Sequence, residues 1–283
     1  MALNRRFLSF GGGGAVTFTL RFLGIAGGIK GRNGQSGGGG GAGEYLEKTS
    51  LLGELSQNYQ VIVGAGNGGD TTFQTNGAQT NTFDFILSGN SGSGGDSGGG
   101  GSAVLNESAE GSLGNSGGNG FCCTPRASGG GGGAGAAGSN ASSQPGNGGA
   151  GFASDITGTS VTRGGGGGGG IKTETASSES SHGLGGSGGG GRGLYLEDKP
   201  DEDPNFEIKQ NSQAGTANTG GGGGGSSDNR SQDAKNGGSG VVVLRYPNTL
   251  TITVGAGLSS TTSTTGTDKV TIFTSGSDNV SFA

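Results

Sequence analysis

The chain has 283 residues, of which 75 are glycine and only 27% are hydrophobic, so a large side-chain core is excluded. The formal net charge is −5, which provides no electrostatic footprint for a phosphate backbone, and we expect no nucleic-acid partner. No run of apolar residues is long enough to cross a bilayer, and the patch before Gly11 is too short for a signal peptide. Cys122 and Cys123 are adjacent, which suits neither a disulfide nor a complete zinc site.

The N-terminal part of the chain alternates apolar and polar residues, in "AVTFTLRFLGIAGG" from Ala15 and "GEYLEKTSLLGELSQNYQVIVGAG" from Gly43. Alternation with a period of two is typical of half-buried strands. We therefore predict an N-terminal β-rich module over residues 1–63, which also contains the first glycine runs.

The stretch "VIVGAGNGGD" has the Gly64-x-Gly66-x-x-Gly69 spacing of a dinucleotide-binding turn, with Asp84 where such folds keep an acidic residue. That chemistry needs a helix beginning within the glycines, because its free N–H groups hold the pyrophosphate. Residues 70–82 are rich in Thr and Asn and lack the apolar spacing of an amphipathic helix. The sequence predicts a strand ending in a glycine turn, and no cofactor.

Residues 64–240 alternate glycine runs with dissimilar polar inserts. A flexible linker or low-complexity disorder is one interpretation. The other is a bundle of extended threefold helices of the polyproline II type (polyglycine II), in which a central rod has neighbours on every side and accommodates no side chain. Backbone N–H and C=O groups would then pair between rods. The main runs of the whole chain, two of which precede this region, are 11–14, 37–43, 92–101, 129–138, 146–151, 164–170, 183–193, 220–225 and 237–240.

Two patterns in this region could suggest catalysis or metal binding, and we reject both. His182 is the only histidine and lies in the loop-like "SSESSHGLGG", so we interpret it as a surface residue and expect no enzyme. The acidic stretch "DKPDEDPNFE" begins with calcium-loop spacing, but Phe206 replaces the required glycine and Ser212 the final glutamate. We expect no metal site.

The C-terminal part alternates again, in "SGVVVLRYPNTLTITVGAGL" and "DKVTIFTSGSDNVSF". This pattern predicts a second β module over residues 241–283. The expected fold class is therefore mostly β and irregular, with a polyglycine II bundle, small β modules at both ends and essentially no α-helix.

Several of these stretches together resemble the glycine-rich tail-fibre and adhesin proteins of tailed bacteriophages, over most of residues 15–247. The resemblance rests on "YQVIVGAGNGG", "SSQPGNGGAGFASDITGTSVTRGGGGGGG", "AGTANTGGGGGG" and above all "GGSGVVVLRYP". It implies a sandwich of polyglycine II helices whose distal loops recognise the host surface, and a virion protein that is made in the host cytoplasm and attached to other virion proteins, with residues 1–63 as one candidate for the attachment region.

The function expected from this resemblance is non-enzymatic receptor binding. The candidate contacts in the inserts are Phe121, Arg126, Tyr195 and Phe206, which would project beyond the rods towards a host polysaccharide or outer-membrane protein. Each of them could instead anchor its loop against the bundle. The alternatives for the whole chain are a decoration or fibre-base protein that contacts only virion subunits, and a weaker one, ice binding. An oligomer is expected in the virion, with a trimer as one form.

Overall fold

The computed structural model describes residues 16–34, 37–76, 84–88, 112–121, 126–173, 182–198, 206–226 and 234–283. Within these ranges the chain forms strands and extended segments and no helix, which confirms the predicted fold class. The strands are β1 (Thr17–Ile25), β2 (Tyr45–Glu54), β3 (Tyr59–Val63), β4 (Thr71–Thr75), β5 (Asp84–Leu87), β6 (Ser112–Leu113), β7 (Arg126–Ala127), β8 (Phe152–Ser154), β9 (Val161–Arg163), β10 (Ile171–Thr173), β11 (Tyr195–Asp198), β12 (Phe206–Gln210), β13 (Val241–Pro247), β14 (Ile252–Val254), β15 (Leu258–Thr265) and β16 (Asp268–Phe282).

The largest sheet has ten strands in the order β5-β4-β3-β16-β13-β1-β2-β6, with β14 and β15 also paired to β16. The 15-residue strand β16 holds this sheet together. Its first half lies between β13 and β15, and its second half pairs with β3 and β14. The sheet is nearly closed and barrel-like.

Both ends of the chain therefore contribute to one sheet, which differs from the expectation of a separate module at each end. Strand β1 pairs antiparallel with β13, and β3 pairs antiparallel with β16. The physical reason is burial, because neither end has enough apolar surface to form a core alone.

The core of the sheet consists of aromatic and aliphatic side chains on one of its faces. The ring of Phe22 stacks on Phe73 with a centroid distance of 5.2 Å, and Tyr246 meets Phe282 edge-on at 5.0 Å. All four side chains are at most 1% exposed. The alternation read from the sequence produces this face, since successive strand residues point to opposite sides.

The described glycine runs form the predicted bundle, and the segment 164–170, here called the central rod, lies inside it. The runs 11–14 and 92–101 lie outside the described residues. Every backbone N–H and C=O of the central rod is hydrogen-bonded to another segment, at 2.7–3.5 Å. The partners repeat every third residue: Gly167 donates to Gly40, and Gly170 donates to Gly37. The six neighbouring segments that these bonds reach are 37–43, 128–134, 146–149, 183–186, 188–194 and 219–225.

A period of three with neighbours in six directions is the geometry of hexagonally packed threefold helices. It explains the uninterrupted glycine. A Cβ added at Gly167 would overlap the carbonyl of Gly223, and one at Gly168 would overlap the carbonyl of Gly183. One at Gly169 would overlap the carbonyl of Ser128, so three successive residues are blocked by three different neighbours.

The bundle continues from the sheet without an intervening linker. Three rods continue directly, or nearly so, into strands of the sheet. Rod 26–32 follows β1, rod 37–43 precedes β2, and rod 234–240 precedes β13. Ala134 from the bundle and Ile156 from the β8–β9 hairpin pack in a second cluster, on the opposite face of the sheet, beside Leu23 and Val243. The bundle thus has a proximal end, where rods become strands, and a distal end on the opposite side.

The turn that resembled a dinucleotide-binding loop lies at this proximal junction. Asn67 and Gly68 have φ values of 67° and 85°, and the chain then enters strand β4. The amide of Gly68 donates to the carbonyl of Gly28 at 3.0 Å, so the turn is attached to a rod. The prediction that no helix follows the glycines is confirmed.

Candidate functional site at the distal end of the bundle

The distal end is defined by hydrogen bonds between the terminal residues of neighbouring rods. Gly170 donates to Gly37 and Ser128 donates to Gly170, in each case between rods that run in opposite directions, and Gly146 donates to Ser128 between two parallel rods. These residues are the first or last of their rods, and Ser226, which donates to Arg32 at 3.0 Å, ends another rod at the same level.

The connectivity places the polar inserts at this end. The chain leaves or enters the bundle here on both sides of segments 35–36, 122–125, 174–181, 199–205 and 227–233, which lie outside the described residues. At the proximal end the described connections are short, such as the turns 187–189 and 217–219 and the β8–β9 hairpin. Segments 77–83 and 89–111, which also lie outside the described residues, connect strands of the large sheet, β4 to β5 and β5 to β6. Five of the segments that interrupt the rods thus begin and end at the distal end.

The described residues of these inserts form a small sheet, here called the distal sheet, with the strand order β12-β11-β10-β7. Strands β10 and β11 are parallel because each directly continues one of two parallel rods, 164–170 and 190–194. Strands β7 and β12 flank them in antiparallel pairing. The distal sheet brings together the inserts of all four predicted receptor contacts.

Tyr195 does not project beyond the rods, and that expectation was wrong. Its side chain is 8% exposed and packs with Ala127 and Ile171. Ile171↔Tyr195 and Ile171↔Ala127 are register pairs, so the three residues form one row on the same face of the sheet. The Tyr195 ring covers the end of the bundle, where the glycine rods offer no apolar side chain.

The other three predicted contacts have different environments. The backbone N–H of Phe121 donates to the carbonyl of Ala127 at 2.8 Å. The half-buried ring of Phe121 packs against the cluster of Ala127, Ile171 and Tyr195. Arg126 is exposed on β7 and pairs in register with Lys172 on β10. Phe206 begins β12 opposite Asp198, and its side chain lies outside the described part of the structure.

All four strands of the distal sheet carry charged residues. Lys209 Nζ lies 2.9 Å from Glu197 and 2.7 Å from Glu207. Hydrogen bonds to Glu207 and Glu197 raise the pKa of Lys209 above its ordinary value, so the ammonium stays charged at neutral pH. Burial, with a contribution from Arg192, lowers the pKa of His182 and favours the neutral imidazole.

Sequence reasoning missed three residues of this surface. Ile208 is 38% exposed in the centre of β12, Lys172 lies beside Arg126, and Lys209 links two strands. The alternation in "FEIKQ" could have identified the strand that carries Ile208 and Lys209. The pairing of Lys172 with Arg126 could not have been read from the sequence, because 45 residues separate them.

The arrangement offers recognition chemistry, with cations, one exposed aliphatic side chain and a rigid backbone. Among the described residues no group of three or more His, Cys, Asp or Glu side chains could hold a metal ion, and the calcium-like stretch 199–205 lies outside them. The described part also contains no helix that could span a membrane.

The comparisons with known proteins define the family. A family model described as a glycine-rich domain matches residues 7–247, which is most of the chain. The chain therefore belongs to this glycine-rich domain family. No curated protein and no solved structure matched it in the same comparisons. The match ends at Pro247, so β14, β15 and β16 lie beyond the family domain.

Proposed function

We propose that this chain is a virion protein of a tailed bacteriophage, a tail-fibre adhesin without enzymatic activity, and that its distal end binds the host-cell surface. The observation that supports this best is that five of the inserts between rods begin and end at the distal end. A bundle that served only as a spacer would have no reason to collect these polar segments there.

The rods give such a surface rigidity without contributing to it. Because the central rod satisfies all its backbone groups within the bundle, the strands β10 and β11 begin from fixed positions. A rigid support lowers the entropy that is lost when a receptor binds. Inserts can therefore vary in sequence while the scaffold is unchanged.

The roles of the predicted contacts differ under this proposal. Arg126 is the first candidate for receptor contact, because it is exposed on an edge strand and its guanidinium suits carboxylates and sugar hydroxyls. Tyr195 is an anchor for the sheet, and Phe121 adds to the same cluster. Phe206 stays a prediction. The receptor class is a host polysaccharide or an outer-membrane protein, and the partners on the virion are other virion proteins.

The first test compares surface variants at the two ends of the molecule. Arg126→Ala combined with Ile208→Ala should reduce phage adsorption to host cells by at least tenfold, since a few residues dominate most interfaces. The matched control is Lys48→Ala with Leu52→Ala, which removes one cation and one aliphatic side chain from strand β2 of the large sheet. The control virions should adsorb normally. Both variants should melt like the parent protein.

The same variants separate this proposal from the alternative of a decoration or fibre-base protein. If the distal variant assembles into virions and these adsorb like the parent, the receptor-binding assignment is wrong. If the distal variant is missing from purified virions, the distal sheet contacts other virion subunits, and the decoration function takes its place.

A further inference from the structure

The sheets of this protein leave four strands of four or more residues with an edge that no other described strand covers. These are β2, beyond the short pairing of Tyr45 and Leu46 with β6, and the terminal strands β5, β12 and β15. Such edges offer unpaired N–H and C=O groups to other chains, and proteins usually protect them with charged residues.

Three of the four edges carry this protection. Strand β2 contains Glu47 and Lys48, β5 contains Asp84, and β12 contains Glu207 and Lys209. Strand β15 has the sequence LSSTTSTT and contains no charge and no proline. It is also the longest of the terminal strands, with eight residues.

The β15 edge is accessible and held in a fixed conformation. All residues from Thr261 to Thr264 are exposed. The hydroxyl of Thr262 lies 2.8 Å from that of Thr271 on β16, which in turn lies 2.9 Å from the buried hydroxyl of Tyr246. A strand fixed on one side in this way presents its other edge ready for pairing.

We propose that this edge is a docking surface for a second copy of the same chain, which pairs antiparallel with it through its own β15 around a twofold axis at Thr262. In this register Thr261 faces Ser263, Ser260 faces Thr264 and Ser259 faces Thr265. Every cross-strand pair is then Thr–Thr or Ser–Thr, which are favourable combinations, and no like charges meet. One surface patch that matches itself is what a twofold interface requires.

The position of the strand agrees with this role. Strand β15 lies beyond the matched family domain, which ends at Pro247, so it adds a surface to the glycine-rich scaffold without altering it. The pairing does not depend on the host-binding function, and the experiments below measure association alone.

Lysines on the edge should abolish the dimer. Thr261→Lys with Ser263→Lys would place lysines opposite each other twice in the paired strands. Sedimentation should find the parent protein as a dimer and this variant as a folded monomer. The control, Thr17→Lys with Thr19→Lys, adds the same charges at two exposed positions of β1 that are paired with β2, and should stay dimeric. A monomeric parent, or a dimer that survives the edge lysines, overturns the proposal.

A disulfide tests the register directly. Residues that face each other across antiparallel strands have Cα atoms about 4.5–5.5 Å apart, within the range of a disulfide. Thr262→Cys, in a background with Cys122→Ser and Cys123→Ser, should form a covalent dimer on mild oxidation. Ser50→Cys, exposed on β2, should not. Equal cross-linking of the two variants would exclude the proposed twofold pairing.

Discussion

The central rod is stabilised by the backbone alone, whereas the large sheet is stabilised by the backbone and by side chains. The rod uses only its backbone, which bonds to six neighbouring segments and leaves no room for a side chain. The sheet combines backbone pairing with buried side chains such as Phe22, Phe73 and Phe273, none of which is measurably exposed. A sheet strand makes backbone hydrogen bonds to neighbours on two sides, whereas the central rod makes them to segments all around it. The comparison teaches that such bonding in all directions can order a chain that is poor in apolar residues.

The two regions should therefore differ in what they tolerate. A core of side chains can absorb a change of shape at modest cost, because neighbours repack. A core of backbone carbonyls has no such freedom, because each carbonyl is already held by a hydrogen bond. The predictions below challenge this difference, in order of decreasing effect.

The largest effect is expected inside the rod. Gly167→Val should destabilise the protein by about 4–5 kcal/mol or more, the range of exceptional single substitutions, because its Cβ would overlap the carbonyl of Gly223. The measurement is the melting temperature or chemical denaturation. Ala137→Val, at an exposed position in the turn after rod 128–134, is the matched control and should be nearly neutral. Equal melting temperatures for the two variants would argue against rod packing.

A smaller effect is expected in the sheet core. Phe73→Ala should cost about 3–5 kcal/mol, because it leaves a cavity between the rings of Phe22 and Tyr59. Phe73→Leu should cost much less, since the neighbouring side chains can adjust. Leu52→Ala, at a side chain that is 53% exposed, should be within about 0.5 kcal/mol of the parent. If Phe73→Leu were as damaging as Gly167→Val, the contrast between the two regions would fail.

The smallest effect is expected at the junction of the two regions. Asp155 in the β8–β9 hairpin lies 2.6 Å from Arg21 on β1. The hydrogen bond from Arg21 and its charge lower the pKa of Asp155 below 3.8. A lowered pKa in the folded state stabilises the protein above the ordinary value, and this contribution disappears as the pH falls through the folded value.

Asp155→Asn should consequently reduce the melting temperature slightly at pH 7, because exposed ion pairs contribute little. The difference from the parent should shrink as the pH falls below 3.8 and disappear once Asp155 is protonated. The measurement is a series of thermal unfolding curves for both proteins across this interval. A difference that is constant between neutral and acid pH would show that the carboxylate charge is not responsible.

Much of the scaffold could be predicted from the sequence. Uninterrupted glycine from Gly164 to Gly170 indicates a threefold rod with neighbours on all sides, and the hydrogen bonds confirm it. The Thr- and Asn-rich stretch after Gly69 correctly excludes a helix, since β4 begins at Thr71. These predictions succeeded because they depend on local sterics, which a short stretch of residues determines.

The candidate site was predicted less well. The inserts of Phe121, Arg126, Tyr195 and Phe206 do meet in one sheet, but the sequence could not distinguish an anchor from an exposed residue. Tyr195 is buried because Ala127 and Ile171 lie beside it, and these two residues adjoin rods that are distant in the sequence but neighbours in space. Their neighbourhood depends on the direction of each rod, and a glycine run carries no signal for direction.

What the sequence by itself determined is the local structure of each segment. Rods form where glycine is continuous, strands where apolar residues alternate, and turns where Asn and Gly accept a positive φ. The tertiary structure alone decided how these parts are joined. It placed β16 between β13 and β3, uniting the two ends of the chain, and it brought five of the inserts between rods to one end of the bundle. The reason is that backbone hydrogen bonds and apolar burial are local in geometry but not in sequence, so their partners are chosen only when the whole chain packs.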